Sequence, residues 1–251
     1  MNPYETDKLV AEYLLFHYGG AEDILDGLPG PVEAVDFARR CLRELLDPAS
    51  LPATASALDV GCAVGASSFA LAGHCATVLG IDYSQAFVRT AQELLDKGEI
   101  SSAKAVEGDL TASFVARAPE YPTSSHIAFE VGDAMTLRDD LADFDVVLAA
   151  NLICRLPEPL KFLHRLPSLV KPGGQLLLAT PFTWLEDFTS RENWLGGRSA
   201  GELRSFDALQ SILAPFFDLE DTRNLPFLIR EHARKFQYGV SLGSRWRRRS
   251  H

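Results

Sequence analysis

The sequence predicts an open α/β domain built on a mostly parallel, doubly wound sheet. The stretch Ala57-Leu-Asp-Val-Gly-Cys-Ala-Val-Gly-Ala-Ser-Ser-Phe69 joins an apolar run, a tight glycine-containing turn and the start of a helical pattern. About twenty residues on, a second run, Thr77-Val-Leu-Gly-Ile-Asp82, ends in an acid. This is the layout of a nucleotide site: glycines let backbone approach the ligand, and the acid takes ribose hydroxyls. Strand and helix patterns then alternate, which implies parallel strands joined by helical crossovers.

The elements follow in order. Asn2-Pro3-Tyr4-Glu5 reads as a helix start, with Asn as N-cap, Pro in the first turn and Glu at the capping-box position. Val10, Tyr13, Leu14 and His17 share one face of that helix, and Glu5, Lys8 and Glu12 line a polar side. Gly19-Gly20 ends it. Gly30-Pro31 opens a second helix carrying Val32, Val35, Ala38, Cys41, Leu42 and Leu45 at helical spacing, and Pro48 and Pro52 close it. The first two strands span 57–60 and 78–81. Ser84 then caps a helix with Phe87, Val88, Ala91, Leu94 and Leu95 on one stripe. Three more strands are expected near 127–131, 144–149 and 175–180, the last after the turn Lys171-Pro-Gly-Gly174. Residues 100–126 have no clear period and are expected to be an insertion of irregular or short β structure. Segments 226–230 and 236–242 supply two further strands, antiparallel at the sheet edge. The expected organisation is one domain over 1–251, with a helical lid over 1–50 and a core over 51–251.

With 251 residues, 47% of them hydrophobic, the chain can bury one good-sized core. A formal net charge of −10 argues against a broad nucleic-acid-binding face. Arg245-Trp-Arg-Arg-Arg249 runs against that balance and reads as a solvated tail. There is no long apolar run or signal peptide, so a soluble, cytoplasmic protein without membrane contact is expected. Cys41, Cys62, Cys75 and Cys154 lie far apart, and six scattered histidines lack ligand spacing, so no disulfide framework and no metal are expected.

Ligands in open α/β sheets sit at the carboxyl ends of the strands. Gly61 and Gly65 follow the first strand, Asp82 and Tyr83 end the second, Asp133 and Ala134 follow the third, and Asn151 follows the fourth. Glu107-Gly108-Asp109 is a second Gly-Asp pair, but no apolar strand precedes it. Tyr13 and His17 are one turn apart on the first helix. Thr183 and Trp184 follow the fifth strand, and Arg230, Glu231, Arg234 and Lys235 lie between the last two. Together they suggest a pocket for a zwitterion, since carboxylates attract Arg and ammonium groups attract acids.

A dinucleotide fold would require Gly-x-Gly-x-x-Gly. The order Asp59-x-Gly61-x-Ala63-x-Gly65 instead resembles motif I of class I S-adenosylmethionine (SAM) methyltransferases, with Ala63 in place of the usual middle glycine. The resemblance implies a Rossmann-like fold with a seven-stranded sheet. It also implies SAM bound by Asp59, Gly61, Cys62, Ala63, Gly65, Asp82, Tyr83, Asp133, Ala134 and Asn151, and released as S-adenosylhomocysteine. Asn151-Leu-Ile-Cys-Arg155 is not the Asn/Asp-Pro-Pro-Tyr of enzymes that methylate base amines, which argues against DNA as substrate.

Flanking segments carry a narrower resemblance. They are Tyr4-Glu-Thr-Asp-Lys-Leu-Val-Ala-Glu-Tyr-Leu-Leu-Phe-His-Tyr-Gly19, Ala149-Ala-Asn-Leu-Ile153 with Arg155-Leu156, Thr180-Pro-Phe-Thr-Trp-Leu-Glu186, and Leu225-Pro-Phe-Leu-Ile-Arg-Glu231 through Arg234-Lys-Phe-Gln237. Together they resemble the methyltransferase of ovothiol biosynthesis, which is commonly fused behind an iron-dependent sulfoxide synthase. The resemblance implies methylation of the π ring nitrogen of 5-thiohistidine, and association with such a synthase. Tyr13, His17 and Asn151 would act at the ring, His17 or a tyrosine accepting the ring proton. Arg155, Thr183, Trp184, Arg230, Glu231 and Lys235 would complete the substrate site. Another small-molecule O-, N- or S-methyltransferase, and a catalytically silent partner domain, are the competing readings.

Overall fold

The structure is a computed structural model that describes residues 3–250. Its main sheet contains β1 (Ser56–Val60), β2 (Thr77–Asp82), β5 (His126–Val131), β6 (Phe144–Ala150), β7 (Val170–Thr180), β8 (Phe217–His232) and β9 (Lys235–Arg248). The spatial order is β5-β2-β1-β6-β7-β9-β8. The first five run parallel, and β9 pairs antiparallel with both β7 and β8. The connections diverge from β1, with β2 on one side and β6 on the other, so a crevice opens at the carboxyl ends of these strands.

Successive residues of the central strands enter opposite core layers. Ala57, Val146, Leu148 and Leu177 join the cluster under α1 (Asp7–Tyr18), α3 (Phe37–Leu45), α4 (Ala66–Ala72) and α5 (Gln85–Lys97). Leu58, Val147, Leu176 and Leu178 join the cluster under α6 (Pro159–Leu169) and α7 (Ser205–Leu213). Burial on both faces explains why these strands read as continuous apolar runs.

Ser84 caps α5 as expected, its Oγ accepting the Phe87 N–H at 3.1 Å. The N-terminal helix begins later than the sequence suggested. Thr6 is its N-cap, with Oγ1 accepting the Leu9 N–H at 3.3 Å, after a 3-10 turn over Pro3–Glu5; the expected cap, Asn2, lies outside the described residues. Glu5 instead accepts from the N–H groups of Gln85 and Ala86, capping α5 across the fold. A short α2 (Ala21–Leu25) follows. The second expected helix is split: a 3-10 turn over Val32–Ala34 precedes α3, with Asp36 left-handed at φ 62° between them.

One further expectation is sharpened and two are corrected. The expected insertion of irregular or short β structure at 100–126 holds an antiparallel hairpin, β3 (Glu99–Glu107) and β4 (Leu110–Arg117), with a bulge between Ala105 and Glu107 and Gly108 at its turn. The turn over 171–174 is an irregularity inside β7, where the register with β6 jumps between Phe144 and Val146. The arginine-rich tail is the end of β9. Trp246 is buried in the second core layer, while Arg245 and Arg247 both pair with Glu220, and Arg249 with Asp218. Strand pairing gives this segment an apolar face and a charged face, which its composition alone concealed.

All four cysteines are free and buried. Among the described residues no helix is long and apolar enough to cross a membrane.

Candidate active site

The turn after β1 is held against the end of β2 by its own backbone. Gly61 and Cys62 donate their N–H groups to the Ile81 carbonyl at 2.8 and 3.1 Å. Gly61 is at φ +77°, and a Cβ there would lie 3.1 Å from Leu152. Gly65, at φ +90°, starts α4 where a Cβ would lie 2.8 Å from the Phe129 ring. Ala63 is also left-handed, at φ 47°, although it carries a Cβ. Its N–H donates to Asp82 Oδ2 at 2.9 Å, while the Ser84 N–H donates to Asp82 Oδ1 at 2.8 Å. These bonds fix the carboxylate between the two turns and leave lone pairs for ligand hydroxyls. Burial raises the Asp82 pKa above the usual carboxylate value, opposed by the Ser84 and Ala63 N–H groups.

Asp59 sits behind this turn. Its Oδ2 accepts from Ser67 Oγ at 2.6 Å and Ser68 Oγ at 2.7 Å, pinning the first turn of α4. Burial pushes its carboxyl up to about 6 against those two hydroxyls. After β5, Asp133 Oδ1 accepts the Met135 N–H at 2.9 Å.

These groups form one wall of a cavity of about 720 Å³. The roof comes from α1, α3 and the β8–β9 arm. Tyr13 packs 4.7 Å from Phe87, Phe16 stacks on Phe37, and Phe37 meets Phe227 of the arm. Leu14 and Leu15 bury the opposite side of α1 in the core. The chain before α1 is tied to the turn after β2, since Ser84 Oγ donates to the Tyr4 carbonyl at 2.9 Å. Burial depresses the His17 pKa to about 3, and its Nδ1 has no hydrogen-bond partner. Burial also raises the Tyr13 hydroxyl pKa. At neutral pH, therefore, His17 is a neutral ring that accepts a proton poorly, and Tyr13 remains a phenol.

The expected residues divide cleanly. Tyr13, His17, Gly61, Ala63, Asp82, Tyr83, Asp133, Ala134, Asn151, Arg155 and Thr183 line the cavity. Asp59, Cys62 and Gly65 support it from beneath, Cys62 being fully buried. Trp184, Arg230, Glu231 and Lys235 are not brought to it. The Trp184 indole donates to Ser205 Oγ at 2.9 Å and stacks on Trp194. Arg230 is buried and donates to the carbonyls of Asp23, Ile24 and Ala105, so it joins α2, the β3 hairpin and the arm. Glu231 and Lys235 pair with each other at 2.6 Å near the arm's tip. Glu107-Gly108-Asp109 forms the β3–β4 turn, away from the cavity.

Sequence reasoning missed Tyr4, Phe37, Asp187, Phe227 and Tyr238 among the lining residues. Phe37, Phe227 and Tyr238 lie in elements the sequence did predict, but nothing in their local pattern told a cavity-lining aromatic from a core one. Among the described residues Arg155 is the one lysine or arginine on the lining. It donates to the Thr183 carbonyl at 3.0 Å and lies 4.9 Å over the Phe188 ring.

The family described as "Methyltransferase domain" matches residues 58–176. The ubiquinone biosynthesis O-methyltransferase of Coxiella burnetii is 27% identical over 123 residues, covering 49% of this chain and 42% of that protein. The enzyme of the same name from Pseudomonas fluorescens is 32% identical over 124 residues, covering 49% and 43%. The chain thus spans less than half the length of these curated relatives. Among solved structures, N-methyltransferase NodS from Bradyrhizobium japonicum, in complex with S-adenosyl-L-homocysteine, superposes with a TM-score of 0.54 at 16% identity, over 95% of this chain and 98% of that one. A SAM-dependent methyltransferase from Methanosarcina mazei gives 0.53 at 18% identity, over 80% and 95%. The strand order and these likenesses give one conclusion: the chain has the Rossmann-like fold of class I methyltransferases, and residues 58–176 match the methyltransferase-domain family.

Proposed function

We propose that the protein transfers the methyl group of SAM to the π ring nitrogen of 5-thiohistidine, giving ovothiol A. The cavity's polar inventory carries this reading. Beyond the cofactor wall, among the described residues, it offers one guanidinium (Arg155), one acid (Asp187) and the amides of Asn151 and Gln237, set among the rings of Tyr4, Tyr13, Phe37 and Phe227. A guanidinium and a carboxylate suit the two charged ends of an amino acid, and the aromatic walls suit a flat ring.

SAM would lie with its ribose hydroxyls at Asp82, its adenine amine at Asp133 and its methionine end along the Gly61–Ala63 turn. The reaction is an in-line displacement. The π nitrogen's lone pair forms the new C–N bond as the sulfonium C–S bond breaks toward sulfur. S-adenosylhomocysteine leaves, and the methylated ring gives up its N–H proton. The protein's task is alignment, because near-attack geometry supplies much of the rate. The neutral nitrogen needs no strong base before attack. That suits a cavity whose histidine is depressed to about 3, and it leaves the late proton to water at the mouth beside Asp187. Selectivity is harder than activation, since the thiolate is the better nucleophile and must be held off the methyl.

O-methylation of a phenol is the second reading, favoured by the names of the curated relatives. Their match covers about half of this chain, and the roof segments before residue 58 and the arm lie outside the family match. The deciding experiment incubates the protein with SAM and, separately, 5-thiohistidine, histidine and a catechol, with mass and NMR assignment of the methylated atom. Product on the π nitrogen is expected. An S-methyl or O-methyl product, or no turnover of 5-thiohistidine, would overturn the substrate assignment. Calorimetric titration with SAM tests the silent-domain alternative, which absence of binding would favour.

A further inference from the structure

We propose that Ser241 is a positioning residue that fixes the Asn151 carboxamide, so that its NH2 group and not its carbonyl faces the acceptor substrate. The inference deepens the function proposed above, because it rests on Asn151 lying beside the reacting ring.

Asn151 ends β6 in the left-handed region at φ 55°, and its N–H donates to the Ala179 carbonyl at 2.7 Å. The backbone is thus anchored, which leaves side-chain rotation as the main freedom. Asn tolerates this conformation better than other residues with a Cβ. Ser241 lies on β9, fully buried, and its Oγ donates to Asn151 Oδ1 at 2.6 Å. Asn151 lines the cavity and Ser241 does not, so Ser241 can influence a bound substrate only through its neighbour.

A hydroxyl has one proton to donate, and this one's single hydrogen bond among the described residues runs to Asn151. Flipping the amide would place NH2 against Ser241 Oγ and leave that proton without an acceptor in a site closed to water. An unmet buried donor is costly, so the flip is suppressed. Among the described residues Nδ2 has no acceptor, and it is not sealed from solvent. The consequence is chemical selection. An NH2 group at the end of β6 hydrogen-bonds to substrate atoms carrying lone pairs, such as a thiolate sulfur or a ring nitrogen, and repels N–H groups. Held there, the amide can occupy the sulfur while the π nitrogen turns toward the methyl.

The test compares Ser241→Ala, Ser241→Thr, Asn151→Ala and the double variant Ser241→Ala/Asn151→Ala. Ser241→Ala is expected to keep SAM affinity within about twofold and lower kcat about tenfold or more, since small misplacements of reacting groups are expensive. Ser241→Thr, which keeps the hydroxyl, should recover most of that loss. Because Ser241 acts through Asn151, the double variant should match Asn151→Ala within about twofold. In 15N spectra the Asn151 side-chain amide, assigned by its loss in Asn151→Ala, should shift or split in Ser241→Ala. An unchanged amide signal with wild-type kcat would overturn the proposal, as would a double variant clearly slower than Asn151→Ala. If the wild type does not methylate 5-thiohistidine, the substrate reading fails. The amide signal still decides the Ser241 contact, and folding is checked by each variant's melting curve with SAM.

Discussion

The two walls of the cavity are built differently. The cofactor wall is local: Gly61, Ala63, Asp82 and Ser84 lie within 24 residues of one another, with Gly61 bonded to the Ile81 carbonyl and the Ala63 and Ser84 N–H groups to the Asp82 carboxylate. The roof is assembled from the two ends of the chain. Phe16 of α1 and Phe37 of α3 meet Phe227 of β8, about two hundred residues away. The family match begins at residue 58 and ends at residue 176, so it takes in the first wall and leaves out α1, α3 and the arm. Under the proposed function this is a division of labour, with the cofactor held by the wall inside the family match and the substrate by the roof outside it.

The largest effect expected from that division is at Arg230. Its side chain is buried, and its guanidinium satisfies three carbonyls, those of Asp23 and Ile24 on α2 and that of Ala105 on β3. Arg230→Ala should cost about 3 kcal/mol or more in urea unfolding, since bonds to a charged donor are lost and carbonyls are left unmet. Turnover should fall, while SAM affinity in the folded fraction stays close to wild type. Loss of SAM binding in a folded Arg230→Ala protein would show that the two walls are not separable.

Asp82→Ala addresses the other wall. Loss of charge-assisted bonds to the ribose, worth roughly 1.5 to 3 kcal/mol each, should weaken SAM binding at least about tenfold by calorimetry. It should also loosen the turn, because the Ala63 and Ser84 N–H groups lose their acceptor. Unchanged affinity in a folded variant would remove Asp82 from the site.

Asp59 beneath the first wall and His17 in the roof are both strongly shifted, and the shifts oppose each other in pH. Asp59 is raised from 3.8 to about 6, so the folded protein keeps a proton that the unfolded chain has lost; this contribution is present at low pH and disappears as pH rises from about 4 through 6. His17 is lowered from 6.5 to about 3, so its contribution is present above about 6.5 and is lost as pH falls toward 3. Between pH 4 and 6 the two nearly cancel. Asp59→Asn should therefore become less stable as pH drops from 6 to 4, and His17→Leu more stable, each on the order of 1 kcal/mol per pH unit. Denaturant curves at pH 4, 5 and 6 read both slopes; slopes of the same sign would contradict the assignment.

The smallest effect is at Ala63, whose left-handed backbone carries a Cβ. Ala63→Gly should raise stability by about 0.5 to 1 kcal/mol by relieving that strain, and the N–H to Asp82 is retained. A loss of stability on thermal melting would show that the turn's conformation is not strained.

The cofactor wall was legible because its signals are short-range. An apolar run, a glycine turn and an acid about twenty residues on each follow from the backbone geometry needed there. The two antiparallel strands near the C-terminus were also visible, though only the portions beside their shared turn; their full lengths are 16 and 14 residues. The arginine-rich end was misread because four arginines signal exposure by composition, whereas pairing with β8 sets Glu220 and Asp218 beside them and turns Trp246 inward. Arg230, Glu231 and Lys235 were grouped by proximity in sequence, yet in a hairpin successive side chains point to opposite faces, and Arg230 alone is drawn into the interior.

The sequence by itself determined the sheet, the position of the glycine turn and the acids at two strand ends, Asp82 and Asp133, because hydrophobic periodicity and turn chemistry operate over a few residues. Tertiary structure alone decided which cation reaches the cavity, that His17 is desolvated, and that Ser241 meets Asn151 from 90 residues away. Those outcomes depend on which distant segments are packed together and on the water this excludes, and no local pattern encodes either.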